Sequence, residues 1–190
     1  MKFAKPLSCT CFLLIGLVIF VSCHGQNSTP EKISSNSTTK QKRIFIDSFP
    51  QPKAYISDYE NIYTPEQETV LDTLIAGFEK SNGIQIAIIT FDTSMIAKDS
   101  LDAVTLRIAN EWGVGQKYGN NGLTIGISIG YRKIRIQNGL GIEKILSNNE
   151  TQEIIDNKFL PNFSNGQFYR GTLQGLQALM TKLIENKFRK

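Results

Sequence analysis

The stretch TPEQETVLDTLIAGFEKSNGIQIAIITFD, residues 64–92, joins a capped helix directly to an apolar strand. Thr64 begins a capping-box pattern, apolar residues then recur at helical spacing, and Asn82-Gly83 is typical of a helix C-terminus. Residues 84–91 are mostly β-branched, so we predict a buried strand that leaves Asp92 at its C-terminal end. A helix followed by such a strand begins an α/β pattern.

The residues that follow extend this pattern with further helices and one hairpin. Two apolar runs, 123–129 and 133–137, are separated by only three residues, which favours an antiparallel hairpin. These elements predict one three-layer α/β/α domain over residues 54–190, with a small mixed sheet. The other predicted elements are a helix that opens at Asp99 or Ser100 and ends before Gly113, a short helix around 142–146, a helix capped by Ser147 or Asn148 that runs to Pro161, and a final helix over 167–188.

The N-terminus carries the features of an export signal. Lys2 and Lys5 precede an uncharged run over residues 7–21, which is too short for a comfortable membrane span but suits the core of a secretory signal. Residues 20–23, Phe-Val-Ser-Cys, resemble a bacterial lipobox, and this resemblance implies cleavage before Cys23 and diacylation of its thiol. Two acyl chains anchor a protein stably to a membrane. An uncleaved helix and an ordinary signal peptide remain alternatives.

A polar segment separates Cys23 from the predicted domain. It is rich in Ser, Thr, Asn, Gln and Lys and cannot bury enough apolar surface to fold alone, so residues 23–53 are predicted to form a flexible tether. The sequence therefore predicts a lipoprotein signal peptide over 1–22, a tether over 23–53 and a domain over 54–190. Such a protein would be lipid-anchored in the bacterial cell envelope, facing the periplasm or the outer surface.

Charge and residue usage exclude several classes of function. The 190 residues include 21 Lys and Arg and 17 Asp and Glu, and removal of the signal peptide would leave 19 basic residues. That balance is too weak for a nucleic-acid partner. All three cysteines precede residue 24, and the single histidine, His24, lies in the tether. The predicted domain therefore offers no disulfide, no cysteine nucleophile and no thiolate metal site.

The glycine-dense segment over residues 113–122 has two interpretations. A dinucleotide-binding loop should follow a strand, whereas this segment follows a helix and has the spacing G-x-G-x-x-x-G, so we reject a dinucleotide site. The segment is either a helix cap followed by a surface loop or a loop that binds a partner.

An ordered set of short motifs gives the domain a family resemblance. Together the motifs resemble a TPM domain over nearly the whole of residues 54–188. The resemblance implies a Rossmann-like α/β/α sandwich in exported or membrane-tethered proteins, of which some are metal-binding acid phosphatases and others are accessory factors of membrane complexes. The motifs are Ile56-Ser57-Asp58-Tyr59, Gly83-Ile84-Gln85-Ile86-Ala87-Ile88, Trp112-Gly113-Val114-Gly115, Asn120-Asn121-Gly122-Leu123, Arg132-Lys133-Ile134-Arg135-Ile136, Gly139-Leu140-Gly141 and Pro161-Asn162-Phe163.

The resemblance also implies where a metal site would lie. The early acidic residue of the family is present as Asp58, but two positions that are commonly acidic in the family hold Asn120 and Tyr131. The candidate ligands for Ca²⁺ or another divalent cation are therefore Asp58, Asn120 and Asn121, and Asp92 is added because it lies at the end of its strand. Weak binding is expected, because amide oxygens contribute less affinity than carboxylates do.

Two functions of different classes follow from these features. The first is a binding or accessory module for an envelope protein complex, held to the membrane by its lipid anchor. The alternative is a metal-dependent acid phosphatase acting on phosphate monoesters, with Asp58 as metal ligand or base and Arg132 as phosphate clamp. A metal-dependent binding domain without turnover is a third possibility. Each residue also has a structural interpretation, in which Asp58 caps a turn, Asp92 ends a strand and Arg132 is a solvated hairpin residue.

Overall fold

The computed structural model describes residues 50–189 and contains a four-stranded sheet between two helical layers. The predicted signal peptide, Cys23 and the tether up to residue 49 lie outside the described residues. The strands are β1 (Ile56–Ser57), β2 (Gln85–Thr90), β3 (Gly122–Ser128) and β4 (Lys133–Asn138). The helices are α1 (Pro65–Asn82), α2 (Leu101–Glu111), α3 (Asn148–Ile154), α4 (Leu160–Phe163) and α5 (Phe168–Phe188), with a 3₁₀ turn at Gln116–Tyr118 and a π-helical segment at Ile155–Phe159.

The sheet is mixed, with the strands in the order β1-β2-β3-β4. β1, β2 and β3 run parallel, and β4 pairs antiparallel with β3, which confirms the predicted hairpin. The hairpin connection spans four residues, 129–132, rather than the expected three. The amide of Arg132 donates to the carbonyl of Ile129, so Ile129 belongs to the turn and not to the strand. β1 was not predicted, since two residues carry no detectable periodicity.

Two apolar cores lie on opposite faces of the sheet. The major core packs one face against α1 and α5, and the minor core packs the other face against α2. The strand β2 shows the division, because Ile86 and Ile88 belong to the major core whereas Ile89 belongs to the minor core. The predicted three-layer sandwich is therefore confirmed.

The two crossover connections have opposite hands. Both lead from one parallel strand to the next in the same direction across the sheet, from β1 to β2 and from β2 to β3. The helix of the first connection, α1, lies on the face of the major core, and the helix of the second, α2, lies on the other face. One of the two is therefore left-handed, which is rare for parallel strands. This arrangement places a helical layer on each face with only three parallel strands.

The ends of α1 lie where the sequence predicts them. The Thr64 side chain accepts a hydrogen bond from the Gln67 amide while the Gln67 side chain accepts one from the Thr64 amide, which completes the capping box. Gly83 ends the helix in the left-handed conformation, with φ of 65°. None of the described helices is both long enough and apolar enough to cross a membrane.

Three sequence-based expectations are wrong after the hairpin. Residues 142–146 form successive turns and not a short helix, although Ile142 and Leu146 are buried. The helix capped by Ser147 does not stay regular to Pro161, because it widens into the π-helical segment and continues as α4 to Phe163. The helical spacing of the apolar residues in the last helix predicts that Ile184 lies on its buried face, but Ile184 is 36% exposed.

Two glycines allow α5 to approach the segment that precedes it. A Cβ at Gly175 would lie 2.1 Å from the ring of Phe159, and a Cβ at Gly171 would lie 2.6 Å from the ring of Phe163. Phe159 is fully buried, so its ring has no free space into which it can move.

Gly175→Ala is therefore expected to lower the free energy of unfolding by about 2–3 kcal/mol, because the added methyl group overpacks the core. Urea unfolding measures this change. The matched control is Gly77→Ala in α1, where a Cβ meets nothing within 4 Å and the helix should gain roughly 0.5–1 kcal/mol. Equal effects of the two substitutions would contradict the packing described for Gly175.

The Glu150 carboxylate ties α3 to the last turn of α5. It accepts hydrogen bonds from the Ser147 amide and from the side chain of Asn186, and it forms an ion pair with Lys182 at 3.2 Å. The hydrogen bond from the Ser147 backbone is the main cause that lowers the pKa of Glu150 from 4.5 to about 2.

A lowered carboxyl pKa stabilises the fold above the unfolded value and loses this contribution as the pH falls. We expect the stability that depends on Glu150 to be complete above about pH 4.5 and to disappear towards pH 2. Thermal unfolding of the protein and of Glu150→Gln should therefore differ at neutral pH and converge near pH 2. A difference that does not depend on pH would contradict this assignment.

Candidate functional site

Three of the predicted site residues lie along one edge of the sheet. Asp58 directly follows β1, Asp92 follows β2 with one residue between, and Arg132 ends the connection that follows β3. Because β1, β2 and β3 are parallel, their carboxyl ends lie at the same edge, where α/β sheets commonly bind ligands. We call residues 58–60, 92–94 and 129–132 the carboxyl rim.

Asp58 holds the loop between β1 and α1 together. Asp58 is only 4% exposed, and its Oδ2 accepts a hydrogen bond from the amide of Tyr63 at 3.0 Å. Its Oδ1 accepts a short hydrogen bond from the hydroxyl of Thr90 and another from the amide of Glu60 at 3.2 Å. Both carboxylate oxygens are thus engaged inside the protein, as in the structural interpretation of this residue.

Thr90, the last residue of β2, is the common partner of this loop. Its buried hydroxyl accepts hydrogen bonds from the amides of Tyr59 at 2.7 Å and Glu60 at 2.9 Å while it donates to Asp58. The loop after β1 is therefore attached to the end of β2 by its backbone. This arrangement leaves little freedom for the Asp58 carboxylate to turn towards solvent.

Glu60 is a further rim residue, which the sequence motifs did not predict. Its Oε2 accepts a hydrogen bond from the Ile129 amide at 2.8 Å, and its Oε1 accepts one from the Gly130 amide at 3.2 Å. Burial is the main cause that raises the pKa of Glu60, and the charges of Asp92 and Asp58 raise it further. The available signal was an acidic residue two positions after Asp58 in the same loop.

The other two rim positions differ in exposure and contacts. Asp92 is exposed, its Oδ1 accepts a hydrogen bond from the Ser94 amide at 2.8 Å, and hydrogen bonds from Ser94 lower its pKa. Arg132 is exposed and adopts a positive φ of 54° in the hairpin turn. Tyr131 occupies a position that is commonly acidic in the family. Its hydroxyl lies 3.1 Å from the carbonyl oxygens of both Thr93 and Ile96 in the loop after β2 and donates to them.

A cavity of about 530 Å³ adjoins the hairpin end of the rim. Its lining is mostly apolar and includes two cationic residues, Arg132 and Lys133. The cavity lies between the hairpin and the start of α5, so it could receive a side chain from a ligand that also contacts Arg132. The apolar side chains in its lining are Ile129, Ile134, Leu160, Phe163 and Phe168.

Asn120 and Asn121 lie at the opposite edge of the sheet. They precede β3, whose first residue Gly122 is in register with Gln85 at the start of β2. The carboxyl rim begins after the other end of β2, and a six-residue strand spans roughly 20 Å. The structure therefore does not bring the four predicted metal ligands together, because the two asparagines are separated from Asp58 and Asp92 by the length of the strand.

The donor set at the carboxyl rim does not fit a divalent cation well. Among residues 50–189 there is no group of three or more His, Cys, Asp or Glu side chains placed to hold a metal ion. A hard cation such as Ca²⁺ needs six to eight oxygen ligands, whereas both oxygens of Asp58 already accept hydrogen bonds. A metal role for Asp58 and Asp92 stays a prediction.

The glycine-dense segment makes backbone contacts at the amino edge of the sheet. A Cβ at Gly122 would lie 2.2 Å from the carbonyl oxygen of Val114, and the Gly122 carbonyl accepts a hydrogen bond from the Gly139 amide at 2.8 Å. The Gly115 amide donates to the side chain of Gln85 at 2.7 Å. We call these contacting loops, residues 113–122 and 139–141, the glycine clasp. Close backbone packing explains these glycines without a ligand.

Comparison with known proteins gives one family match. The family model of the TPM domain matches residues 56–182 of the chain. No curated protein sequence matches the chain.

Several solved bacterial structures share the fold. The solution structure of the N-terminal domain of a protein from P. gingivalis is similar with a TM-score of 0.62 and 27% identity, covering 68% of this chain and 81% of that one. The BA42 protein from the psychrophilic bacterium Bizionia argentinensis has a TM-score of 0.55 and 20% identity, with 67% and 86% covered. The N-terminal domain of a protein from Corynebacterium glutamicum has a TM-score of 0.52 and 14% identity, with 71% and 83% covered. The last two similarities concern the fold alone.

Proposed function

Since the chain belongs to the TPM domain family, we propose that it is a membrane-anchored binding module that serves a protein complex of the bacterial cell envelope. The lipid on Cys23 would hold it to the membrane, and the tether would keep the domain clear of the headgroups. About thirty flexible residues have a root-mean-square reach of roughly 30 Å.

The engagement of the rim carboxylates in loop contacts is the observation that carries this proposal. Asp58 and Glu60 accept hydrogen bonds from Tyr63, Thr90, Ile129 and Gly130, so they order the loops. A loop rim that is ordered in advance loses little conformational entropy when it binds a partner. Such an arrangement favours recognition over chemistry at these two residues.

The cavity beside the rim indicates what a partner would present. An apolar side chain of the partner would enter between Ile134 and Phe168, and an acidic group would meet Arg132. The partner is thus proposed to be a protein segment with an apolar residue close to a carboxylate.

The alternative is a metal-dependent acid phosphatase. The observation that favours it is the position of Asp58, Asp92 and Arg132 after the carboxyl ends of parallel strands, a usual place for ligand binding in α/β sheets. In this alternative Arg132 would hold the phosphate and Asp92, which is exposed, would be the accessible carboxylate. A family that includes phosphatases gives it further support.

In-cell photo-cross-linking of the full chain tests the proposal. A photoreactive residue at position 132 should form a discrete cross-linked product with one envelope protein, and the same residue at Gln177, exposed on α5, should not. Cys23→Ala, which removes the acylated thiol, should release the protein from the membrane fraction. Equal products from positions 132 and 177 would contradict recognition at the rim.

A hydrolysis assay distinguishes the binding module from the metal-dependent phosphatase. Purified protein with Ca²⁺, Mg²⁺ or Mn²⁺ should not hydrolyse p-nitrophenyl phosphate above a matched control, the variant Asp92→Asn plus Arg132→Gln. Metal-dependent hydrolysis that this folded variant loses would replace the binding proposal with the phosphatase.

A further inference from the structure

The two outer strands of the sheet differ in length. β1 has only two residues, whereas β4 has six, and no strand of residues 50–189 pairs with the outer side of β4. A strand at the edge of a sheet presents amide and carbonyl groups with which another extended chain can pair. Of the described strands at the two edges, β4 is therefore the one long enough to receive such a chain.

The register of the hairpin shows which backbone groups of β4 point outward. The Gly139 amide donates to the Gly122 carbonyl at 2.8 Å, and in an antiparallel pair such positions alternate with positions whose backbone groups point away. The amide and carbonyl groups of Ile134, Ile136 and Asn138 therefore point away from β3. The Asn138 carbonyl supports this, because it accepts a hydrogen bond from the side chain of the preceding residue at 3.1 Å. Among residues 50–189, no loop or turn forms a backbone hydrogen bond with Ile134 or Ile136.

One face of the sheet is basic beside this edge. Arg135 is in register with Gly126, where a Cβ would meet Thr105 of α2, so the side chains of Arg135 and Lys133 lie on the face of α2. The whole hairpin, residues 122–138, contains three basic residues and no acidic one. Lys133 forms an exposed ion pair with Asp99 at 2.9 Å, which contributes little, and Arg135 forms no ion pair within residues 50–189. The edge therefore carries positive charge that an incoming acidic chain can neutralise.

The other face is apolar beside the same edge. Ile134 lies on this face, because successive side chains of a strand alternate, and it lines the cavity of about 530 Å³ together with Leu160, Phe163 and Phe168. Leu160 is 37% exposed, so an apolar surface is open to solvent here. A chain docked along β4 would direct alternate side chains towards this apolar surface and the intervening ones towards the basic face.

The charge of the edge decides which chain fits it. A second copy that paired its own β4 here would place the basic side chains of both copies side by side, and like charges on neighbouring strands are destabilising. The apolar piece of the tether, within residues 40–46, has three basic residues and no acidic one, so it meets the same repulsion. An acidic segment of another protein gains attraction where these two candidates lose stability.

We propose that the protein partner binds as a fifth strand on the outer side of β4, through an extended segment in which acidic and apolar residues alternate. Its backbone pairs with Ile134 and Ile136, its acidic side chains lie beside Lys133 and Arg135, and its apolar side chains lie beside Ile134 at the cavity. This inference rests on the binding module proposed above and adds the form in which its partner binds. Main-chain hydrogen bonds supply affinity in such a complex, and alternate side chains supply specificity.

Fluorescence anisotropy of a labelled peptide measures this binding. The probe is a fluorescein-labelled seven-residue peptide of alternating Glu and Val, beginning and ending with Glu, titrated with the purified full-length protein. It should bind saturably and more weakly as the salt concentration rises, because its charges are attracted to the basic face. The matched peptide of alternating Lys and Val should not bind. An acidic peptide that shows no saturable binding, or binds no better than the basic one, would overturn the proposal.

Methylation of the peptide backbone separates strand pairing from a simple ionic contact. Along an extended chain the amides of successive residues point to opposite sides, so methylation at every Glu and methylation at every Val block opposite sides of the peptide. One of these two peptides should bind at least about tenfold more weakly than the unmethylated peptide, and the other should keep its affinity. Equal affinities of the two methylated peptides would overturn the strand pairing.

A charge reversal on the protein locates the binding at β4. The side chain of Lys133 is 40% exposed, so Lys133→Glu should fold, and it should weaken binding of the acidic peptide about fivefold or more. Lys80→Glu, an exposed position in the last turn of α1, makes the same change of net charge and should leave the affinity unchanged. Circular dichroism verifies the fold of both variants. Equal effects of the two substitutions would contradict docking along β4.

The strand proposal and the binding module can fail separately. A discrete cross-linked product at position 132 together with equal affinities of the two methylated peptides would remove strand pairing and leave recognition at the rim. Unequal affinities of the methylated peptides together with equal cross-linked products from positions 132 and 177 would do the reverse.

Discussion

Replacing Asp58 with alanine is expected to lower the free energy of unfolding by about 3 kcal/mol. The substitution leaves the amide of Tyr63 and the hydroxyl of Thr90 without their acceptor, and each buried donor left unpaired costs about 1–3 kcal/mol. Urea unfolding followed by the fluorescence of Trp112 measures the change. The loop after β1 should then be the first part of the domain to lose protection from hydrogen exchange.

Asp92→Ala is the matched control for this prediction. Asp92 is a carboxylate at the same rim, but it is exposed, and its hydrogen bond to the Ser94 amide lies in solvent. Its removal should cost less than about 1 kcal/mol. If Asp58→Ala unfolds at the same urea concentration as the unmodified protein, the structural role assigned to Asp58 is wrong.

The structural role of Asp58 makes Asp58→Ala an unsuitable variant for testing whether this residue binds a metal ion. A loss of Ca²⁺ binding in Asp58→Ala would not separate a lost ligand from a lost loop. Asp58→Asn keeps one oxygen that can accept from Thr90 while it removes the negative charge. Calorimetric titration of Ca²⁺ should therefore compare the unmodified protein with Asp58→Asn and Asp92→Asn, each after its fold has been verified.

Gly122→Ala is expected to lower the free energy of unfolding by about 3 kcal/mol or more. A Cβ at this position would lie 2.2 Å from the carbonyl oxygen and 2.5 Å from the carbonyl carbon of Val114, and 2.8 Å from the amide nitrogen of Gly115. These atoms belong to the backbone of the glycine clasp and cannot rotate away as a side chain can. The substitution therefore has to separate the clasp from β3, which weakens the amino edge of the sheet. Urea unfolding measures the loss.

Gly119→Ala separates the effect of close contact from that of backbone conformation. Gly119 has a positive φ of 73°, but a Cβ there meets nothing within 4 Å. Its substitution should cost only the strain of a left-handed alanine, about 1–2 kcal/mol. Equal losses at Gly119 and Gly122 would show that the approach of Val114 to β3 is not what requires glycine at position 122.

Much of the fold could be predicted because the signals are local. The capping box at Thr64 and the glycine at 83 act on neighbouring backbone groups, so the limits of α1 are readable from the chain. The same holds for the hairpin, where a short connection leaves only an antiparallel return. The prediction failed where the sequence has no local pattern. The two residues of β1 were not predicted as a strand, and the turns over 142–146 were predicted as a helix.

The candidate site was predicted less well, because its residues come from loops whose place in the fold depends on the path of the chain. Asp92 was expected at the end of a strand, and it lies at the same edge of the sheet as Asp58, whose strand was not predicted. Asn120 and Asn121 lie at the other edge, because the loop that contains them precedes a parallel strand. Residue types alone cannot show which edge a loop occupies, and the same limit concealed Glu60, whose acceptor role depends on the hairpin that reaches it.

The sequence by itself determined the α/β class, the limits of the long helices, the hairpin and the resemblance to the TPM domain, because periodicity, caps and ordered motifs are properties of neighbouring residues. Only the tertiary structure decided which side chains meet. It placed α1 and α2 on opposite faces and engaged the Asp58 carboxylate in the loop. These outcomes depend on contacts between residues far apart in the chain. Crossover direction and strand length control those contacts, and no short stretch of sequence contains them.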